Sequence, residues 1–158
     1  VFIFMGPLMV LGAYYVMAKQ VTPTPLLAGL PIAFLVAAIL HANNLRDLDA
    51  DRAARKRTLA VLFGRRFARI EYFVLIAGAY LTVIVLVAAG WIPWLGLVAL
   101  VTLQEARRLL ELALSSEDAL VLHGVQGRTA RLHRDFGASL IIGWLAALLI
   151  NALLAAMR

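Results

Sequence analysis

The sequence contains no cysteine among its 158 residues, which excludes a disulfide framework and any thiolate metal site. Charged residues are also scarce, at 15% of the chain, whereas hydrophobic residues reach 63% and the mean hydropathy is +0.90. These values lie outside the range of soluble domains. They indicate a single polytopic domain that is integral to a membrane, with the lipid bilayer as its surroundings.

The N-terminus lacks the features of a signal peptide, because no basic segment and no small-residue cleavage site accompany the apolar run at residues 1–18. The chain begins at Val1 inside that run, and we therefore expect a fragment of a longer protein. The net charge of +6 does not indicate nucleic acid as a partner, because the basic residues lie between apolar runs, as in membrane loops.

Five apolar segments are candidates for crossing a bilayer, which takes about 20 residues each. They cover residues 1–18, 25–42, 70–91, 93–114 and 137–157. The fourth acquires charges near its far end, where an amphipathic pattern indicates that the helix leaves the bilayer. We therefore predict an all-α, polytopic transmembrane bundle with about five spans. Ser116-Glu117-Asp118 predicts one further helix start.

Basic residues are distributed unevenly among the connections. Residues 43–69 contain eight and residues 104–136 contain five, whereas the connection at 19–24 contains Lys19 alone and the one at 90–93 contains none. An excess of lysine and arginine marks the cytoplasmic side of a membrane. We therefore predict that both charged segments face the cytoplasm of a bacterial-type inner or plasma membrane.

Residues 41–64 concentrate three aspartates and five basic residues between two apolar runs. Charge next to hydrocarbon is costly and usually serves ion or substrate chemistry. Asn43, Asp47 and Asp51 are four residues apart, so a continuous helix would place them on one face and Asp49 on the opposite side. Two carboxylates one turn apart can share Mg²⁺, and waters and a diphosphate can complete its shell.

Four basic residues follow the aspartates, namely Arg52, Arg55, Lys56 and Arg57. Arginine matches the geometry of phosphate, so acids and bases together indicate binding of a phosphate ester. The alternative is that these charges neutralise one another and reflect membrane topology alone. An EF-hand is excluded, because the loop that would open at Asp47 has Arg52 in place of glycine and Thr58 in place of glutamate.

The string Asn-Asn-Leu-Arg-Asp-x-x-x-Asp-Arg-x-Ala-x-Lys-Arg-Thr-Leu-Ala-Val at residues 43–61 resembles the second aspartate-rich motif of the UbiA-type intramembrane prenyltransferases. It is most similar to the dihydroxynaphthoate polyprenyltransferases of menaquinone synthesis, rather than to the hydroxybenzoate enzymes of ubiquinone synthesis. Gly6-Pro7-Leu8 and Gly12-Ala13-Tyr14-Tyr15 resemble the preceding helix of the same branch. The resemblance implies that residues 1–158 are the C-terminal part of one domain with about nine spans. The first aspartate motif is absent, so we expect the fragment alone to be inactive.

The resemblance implies Mg²⁺-dependent transfer of a polyprenyl group from its diphosphate to 1,4-dihydroxy-2-naphthoate. It makes Asp47 and Asp51 the metal ligands, which would act in catalysis together with Lys56. The substrate-binding candidates are Asn43, Asn44, Arg46, Arg52, Arg57, Tyr14 and Tyr15. Among these, we expect the asparagines, and Asn43 above all, to orient metal-bound water or phosphate. The tyrosine rings are candidates for shielding the allyl cation or packing on the acceptor, and the alternative is ordinary packing in the core or at the membrane interface. Arg46 is expected to pair with Asp49 or to reach phosphate.

Arg55 departs from the family pattern, which usually has glycine at that position. A left-handed backbone there would be strained, because only glycine adopts it without cost. His41, His123 and His133 have no ligand spacing among themselves, and we expect ordinary residues at helix ends.

Other functions remain as alternatives: another aromatic acceptor such as 4-hydroxybenzoate, a transporter-like segment, or a non-catalytic remnant. A transporter predicts carboxylates inside the spans, and residues 1–42 and 72–104 contain none.

Overall fold

Helices make up nearly all of the regular structure in the computed structural model, which describes residues 1–157. The elements in chain order are a π-helical turn (Phe4–Leu8), α1 (Met9–Ala18), α2 (Pro23–Ala28), α3 (Leu30–Arg46), α4 (Leu48–Ala53), α5 (Leu59–Ala88), a 3-10 helix (Trp94–Thr102), α6 (Leu103–Ser115) and α7 (Ala119–Ala156).

Within residues 1–157, three helical segments are long and apolar enough to cross a membrane: Pro23–Arg46, Leu59–Ala88 and Ala119–Ala156. They confirm the predicted all-α membrane bundle. The other two predicted spans take different forms, because Phe4–Ala18 is a shorter apolar helix and residues 93–114 divide into the 3-10 helix and α6.

Two helices extend well beyond their predicted apolar cores. α5 begins at Leu59, where the Thr58 side chain accepts a hydrogen bond from the Val61 amide (3.2 Å). α7 begins at Ala119, where Asp118 accepts from the Leu120 amide (2.7 Å), which confirms the predicted helix start. The range of α5 includes a kink at Gly64 (φ 83°, ψ 173°), so a short helical segment at Leu59–Phe63 precedes the main helix. Hydropathy identifies only the membrane-embedded part of a helix, whereas α7 continues into polar residues. With 38 residues, α7 is about 57 Å long, nearly twice the thickness of the hydrocarbon core.

Close helix contacts are made possible by glycine. A β-carbon added to Gly6 would lie 2.2 Å from the Ala33 β-carbon, and one added to Gly143 would lie 2.1 Å from the Leu95 carbonyl oxygen. Small residues let backbones approach closely in membrane bundles, where dispersion contacts replace the hydrophobic effect. The first turn of the chain therefore packs directly on α3, and α7 packs on the 3-10 helix.

Contacts between helices show which segments lie at the same end of the bundle. His41 near the end of α3 lies 2.7 Å from the Ala68 carbonyl of α5, and Arg69 donates to the Ser116 carbonyl at 2.9 Å. Trp144 of α7 lines a cavity with Pro25, at the opposite end of α3. Both charged segments, 43–69 and 104–136, therefore meet at one end of the bundle.

Candidate active site

The aspartate segment lies where α3 gives way to α4. Asp47 has φ −89° and ψ 7°, which interrupts the helix for one residue. The i to i−4 ladder nevertheless continues, because the Asp47 amide donates to the Asn43 carbonyl (2.9 Å) and the Asp51 amide donates to the Asp47 carbonyl (2.7 Å). Asn43, Asp47 and Asp51 are therefore stacked one helical turn apart, as their spacing predicts.

Asp47 is held by its neighbour in the chain. Arg46 donates from Nε to Oδ1 and from Nη2 to Oδ2 of Asp47, each at 2.6 Å. These charge-assisted hydrogen bonds lower the pKa of Asp47 below its ordinary value. The carboxylate is thus ionised at neutral pH. The hypothesis that Arg46 pairs with Asp49 is wrong.

Arg46 also contacts two other helices. It donates from Nη2 to Asn43 Oδ1 (2.7 Å) and from Nη1 to both His123 Nδ1 (3.1 Å) and Gln126 Oε1 on α7. The two α7 residues are functional candidates that sequence reasoning missed. Their spacing of three places them on one helix face, but no pattern in the sequence connects them to residue 46.

Asp51 is the buried carboxylate of the site, with 5% of the residue exposed. Its Oδ1 accepts from Lys56 Nζ at 2.7 Å, and this hydrogen bond raises the pKa of Lys56 above its ordinary value. Lys56 remains largely solvent-accessible, with 63% of its side chain exposed. A buried carboxylate is thereby paired with an ammonium group that can also reach a ligand.

The turn after α4 brings Lys56 back to Asp51. The Lys56 amide donates to the Asp51 carbonyl (2.9 Å) and the Arg55 amide donates to the Arg52 carbonyl (3.1 Å), which is a Schellman motif. Arg55 has φ 55°, the left-handed conformation that this motif requires and that glycine normally supplies. The left-handed backbone that the family pattern led us to consider at Arg55 is therefore present.

Asp49 lies apart from the other two aspartates. Its side chain is 71% exposed and pairs with Arg65 at 2.6 Å and with Arg52 at 3.6 Å. Arg52, a predicted substrate-binding residue, is therefore directed to the Asp49 side of α4. Arg57 is exposed in the loop that follows Lys56.

The structure does not bring Tyr14 or Tyr15 to the aspartates. Tyr14 lines the cavity beside Trp144, and half-exposed Tyr15 lies 6.0 Å from Lys19 Nζ. Because α1 runs antiparallel to α3, the end of α1 lies near the beginning of α3, whose 17 residues span about 26 Å. The geometry therefore places these two rings near the opposite end of α3 from the aspartates.

Asn44 and His41 line a different cavity of about 340 Å³, together with Glu71 and apolar side chains of α3 and α5. Asn44 is adjacent to Asn43 in the chain but points toward α5. His41 is buried and bridges α3 to the Ala68 carbonyl, so its role in the fold is packing between helices.

The donor set fits a metal ion only in part. Within residues 1–157, no cluster of three or more His, Cys, Asp or Glu side chains could hold an ion. Asp47 and Asp51 are hard oxygen ligands, and each carboxylate has more lone pairs than Arg46 and Lys56 use. The chain can therefore supply two ligands of an Mg²⁺ site that also uses water, phosphate oxygens or further side chains.

Comparison with known proteins identifies relatives along most of the chain. The model of the UbiA prenyltransferase family matches residues 1–119. The human UbiA prenyltransferase domain-containing protein 1 is 42% identical over 76 residues, which are 48% of this chain and 22% of that protein. The 1,4-dihydroxy-2-naphthoate octaprenyltransferase of Mycobacterium leprae (strain TN) is 40% identical over 100 residues, or 63% and 34% of the two chains. The Drosophila melanogaster homolog of UbiA prenyltransferase domain-containing protein 1 is 32% identical over 142 residues, which are 90% of this chain and 38% of that protein. The chain spans less than two fifths of each relative.

Proposed function

This chain belongs to the UbiA prenyltransferase family, and we propose that the protein containing it transfers a polyprenyl group from its diphosphate to 1,4-dihydroxy-2-naphthoate in menaquinone synthesis. The single observation that carries the proposal is the stacking of Asp47 and Asp51 one turn apart, with Lys56 on Asp51. Relatives named as 1,4-dihydroxy-2-naphthoate octaprenyltransferases support the choice of acceptor. The short share of each relative supports the view that residues 1–158 are a part of a longer domain, and the resemblance of residues 43–61 to the second aspartate-rich motif is our reason for proposing its C-terminal part.

Asp47 and Asp51 would hold the divalent ion that enzymes of this family generally use, and Mg²⁺ is the ion that fits hard carboxylate oxygens. When bound, the ion stabilises the negative charge that develops on the departing diphosphate. Asp47 is prepared for this role because Arg46 keeps it ionised. Asp51 gains a positive neighbour without losing its second oxygen, since Lys56 occupies Oδ1.

Lys56 and Arg57 are the cations that we assign to the diphosphate. The Lys56 ammonium has three N–H donors and uses one on Asp51, so the other two are available for phosphate oxygens. Asn43 contributes as well, because its Oδ1 accepts from Arg46 and leaves the amide nitrogen free to donate. Arg52 pairs with Asp49 on the exposed side of α4, so we do not assign it to the diphosphate.

The polyprenyl tail requires an apolar surface that runs from the aspartates along the membrane-embedded helices. A cavity of about 370 Å³ is lined by Val10, Ile32, Leu140 and Trp144, and it adjoins the cavity at Tyr14. We assign these cavities to the tail, which makes Tyr14 a contact of the hydrocarbon chain. Location of both charged segments at one end of the bundle supports a diphosphate site at the cytoplasmic face.

Activity measurements on the full-length protein test the proposal. Labelled polyprenyl diphosphate and 1,4-dihydroxy-2-naphthoate are supplied in lipid vesicles with Mg²⁺. Asp47→Ala and Asp51→Ala are expected to lower product formation by about 100-fold or more, because each removes a metal ligand. Asp49→Ala is the matched control and is expected to retain activity, since Asp49 pairs on the other side of α4. Near-normal activity of either ligand variant contradicts the proposal. Prenylation of 4-hydroxybenzoate in place of the naphthoate contradicts the acceptor alone.

A further inference from the structure

The Arg46 side chain has no N–H group left for a ligand. Its five donors are distributed over Asp47 Oδ1, Asp47 Oδ2, Asn43 Oδ1, His123 Nδ1 and Gln126 Oε1. A guanidinium that binds phosphate directly would have to release one of these acceptors. Arg46 is therefore placed to orient the site rather than to contact the substrate.

The geometry of the Arg46–Asp47 pair depends on contacts from outside α3. Neighbouring residues on a helix point in directions about 100° apart, so their side chains do not normally face each other. The pair forms because Asp47 departs from helical dihedral angles and because the Arg46 side chain folds across the end of α3. Two acceptors on α7 determine the direction in which this long side chain folds.

We propose that His123 and Gln126 of α7 are positioning residues for the Asp47 carboxylate, acting through Arg46 during the metal-dependent reaction. This inference rests on the proposed function. Leu122 and Val125, which are each 1% exposed, anchor the neighbouring positions of α7 in the core. His123 and Gln126 thus project from a fixed helix face toward the end of α3.

Because Arg46 only donates hydrogen bonds, its contacts show which atoms of His123 and Asp47 act as acceptors. Arginine can only donate, so His123 Nδ1 accepts and the neutral ring has its proton on Nε2. Each Asp47 oxygen accepts one hydrogen bond from Arg46 and keeps lone-pair capacity for a metal ion. The contacts that His123 and Gln126 make with Arg46 therefore orient Asp47 and leave lone pairs of its carboxylate free for a metal ion. Both α7 residues lie beyond residue 119, where the family match ends, so the family motif does not assign them this role.

Metal affinity provides a test that does not depend on turnover. Mn²⁺ replaces Mg²⁺ as the probe, and its binding to the full-length protein in nanodiscs is measured by electron paramagnetic resonance with a non-hydrolysable prenyl diphosphate analogue. The double variant His123→Ala/Gln126→Ala is expected to weaken Mn²⁺ binding about 10-fold, the lower end of the range for groups that orient metal ligands. His123→Gln is expected to bind Mn²⁺ more tightly than His123→Ala and to stay within about 3-fold of the wild type, because its amide oxygen can accept from Arg46. Gln104→Ala, an exposed change on α6, is the control and should have no effect.

The outcomes separate this inference from the proposed function. If the wild-type protein does not bind Mn²⁺ with the analogue, the proposed function fails. If the wild-type protein binds and the double variant binds equally well, the positioning role is wrong. If His123→Gln loses as much affinity as His123→Ala, the hydrogen bond to Arg46 is not the cause, and the inference is again overturned. His123 is exposed on α7 and alanine favours helix, so the single variants remain testable even if the double variant does not fold.

Discussion

Replacement of Arg55 by glycine examines the turn that brings Lys56 onto Asp51. Arg55 occupies the position after α4 that closes the Schellman motif, and its φ of 55° is left-handed. A β-carbon in this conformation approaches the following carbonyl oxygen, which glycine avoids. Arg55→Ala is the matched control, because it removes the guanidinium group but keeps the β-carbon.

The expected magnitude is a balance of two terms. Relief of the left-handed conformation stabilises the folded state by about 1–2 kcal/mol. Glycine also gives the unfolded chain more freedom, which offsets about 0.4–1 kcal/mol. Arg55→Gly should therefore exceed Arg55→Ala in unfolding free energy by about 1 kcal/mol, or about 2–4 °C in Tm for a chain of this length.

Equilibrium unfolding in mixed detergent micelles, followed by circular dichroism, measures the difference between the two variants. The expected order is Arg55→Gly above Arg55→Ala. Equal stability, or the reverse order, would refute the assignment of a strained left-handed residue to this turn. Comparison within the pair cancels the loss of the arginine charge, which both variants share.

Three further changes test the packing, the ionisation and the buried hydrogen bonds. Gly143→Ala should lower the unfolding free energy by about 1–3 kcal/mol because its β-carbon would overlap the Leu95 carbonyl oxygen, whereas Gly124→Ala on the same helix meets no atom within 4 Å and should not destabilise the protein. The difference in unfolding free energy between wild type and Asp47→Asn should be constant above about pH 5 and should shrink below about pH 4. The reason is that the pKa of Asp47 is lowered in the folded state, so the stability that its carboxylate contributes is lost as pH falls through that pKa. A difference that grows on acidification would contradict the lowered pKa. Tyr72→Phe should cost about 1 kcal/mol in the same unfolding assay, because the buried Tyr72 hydroxyl lies 2.7 Å from Thr129 Oγ1, and an unchanged stability would show that this hydrogen bond adds nothing.

Much of the local structure could be predicted because it depends on neighbouring residues. Hydropathy identified three of the membrane helices, and the spacing of Asn43, Asp47 and Asp51 predicted their stacking. Asp118 marked the start of α7 because a cap acts within one turn. The possibility of a left-handed residue at position 55 came from the family resemblance, because the family usually has glycine there, and the turn keeps this geometry with arginine.

The remaining features depend on contacts between distant parts of the chain. The pairing of Arg46 with Asp47, rather than with Asp49, follows from acceptors on α7 that are 77 and 80 residues away. The separation of Tyr14 from the aspartates follows from the antiparallel course of α1 and α3. Neither contact has a periodic pattern in the sequence, so only the folded chain reveals them.

A magnesium titration examines whether Asp47 and Asp51 bind a metal diphosphate. The full-length protein is incubated with labelled polyprenyl diphosphate and acceptor while the Mg²⁺ concentration is varied, and Asp51→Asn is compared with Asp49→Asn. Asp51→Asn is expected to require at least about 10-fold more Mg²⁺ for half-maximal transfer, or to lose transfer, whereas Asp49→Asn should follow the wild-type curve. Superimposable titration curves for wild type and Asp51→Asn would rule out a metal-binding role for Asp51.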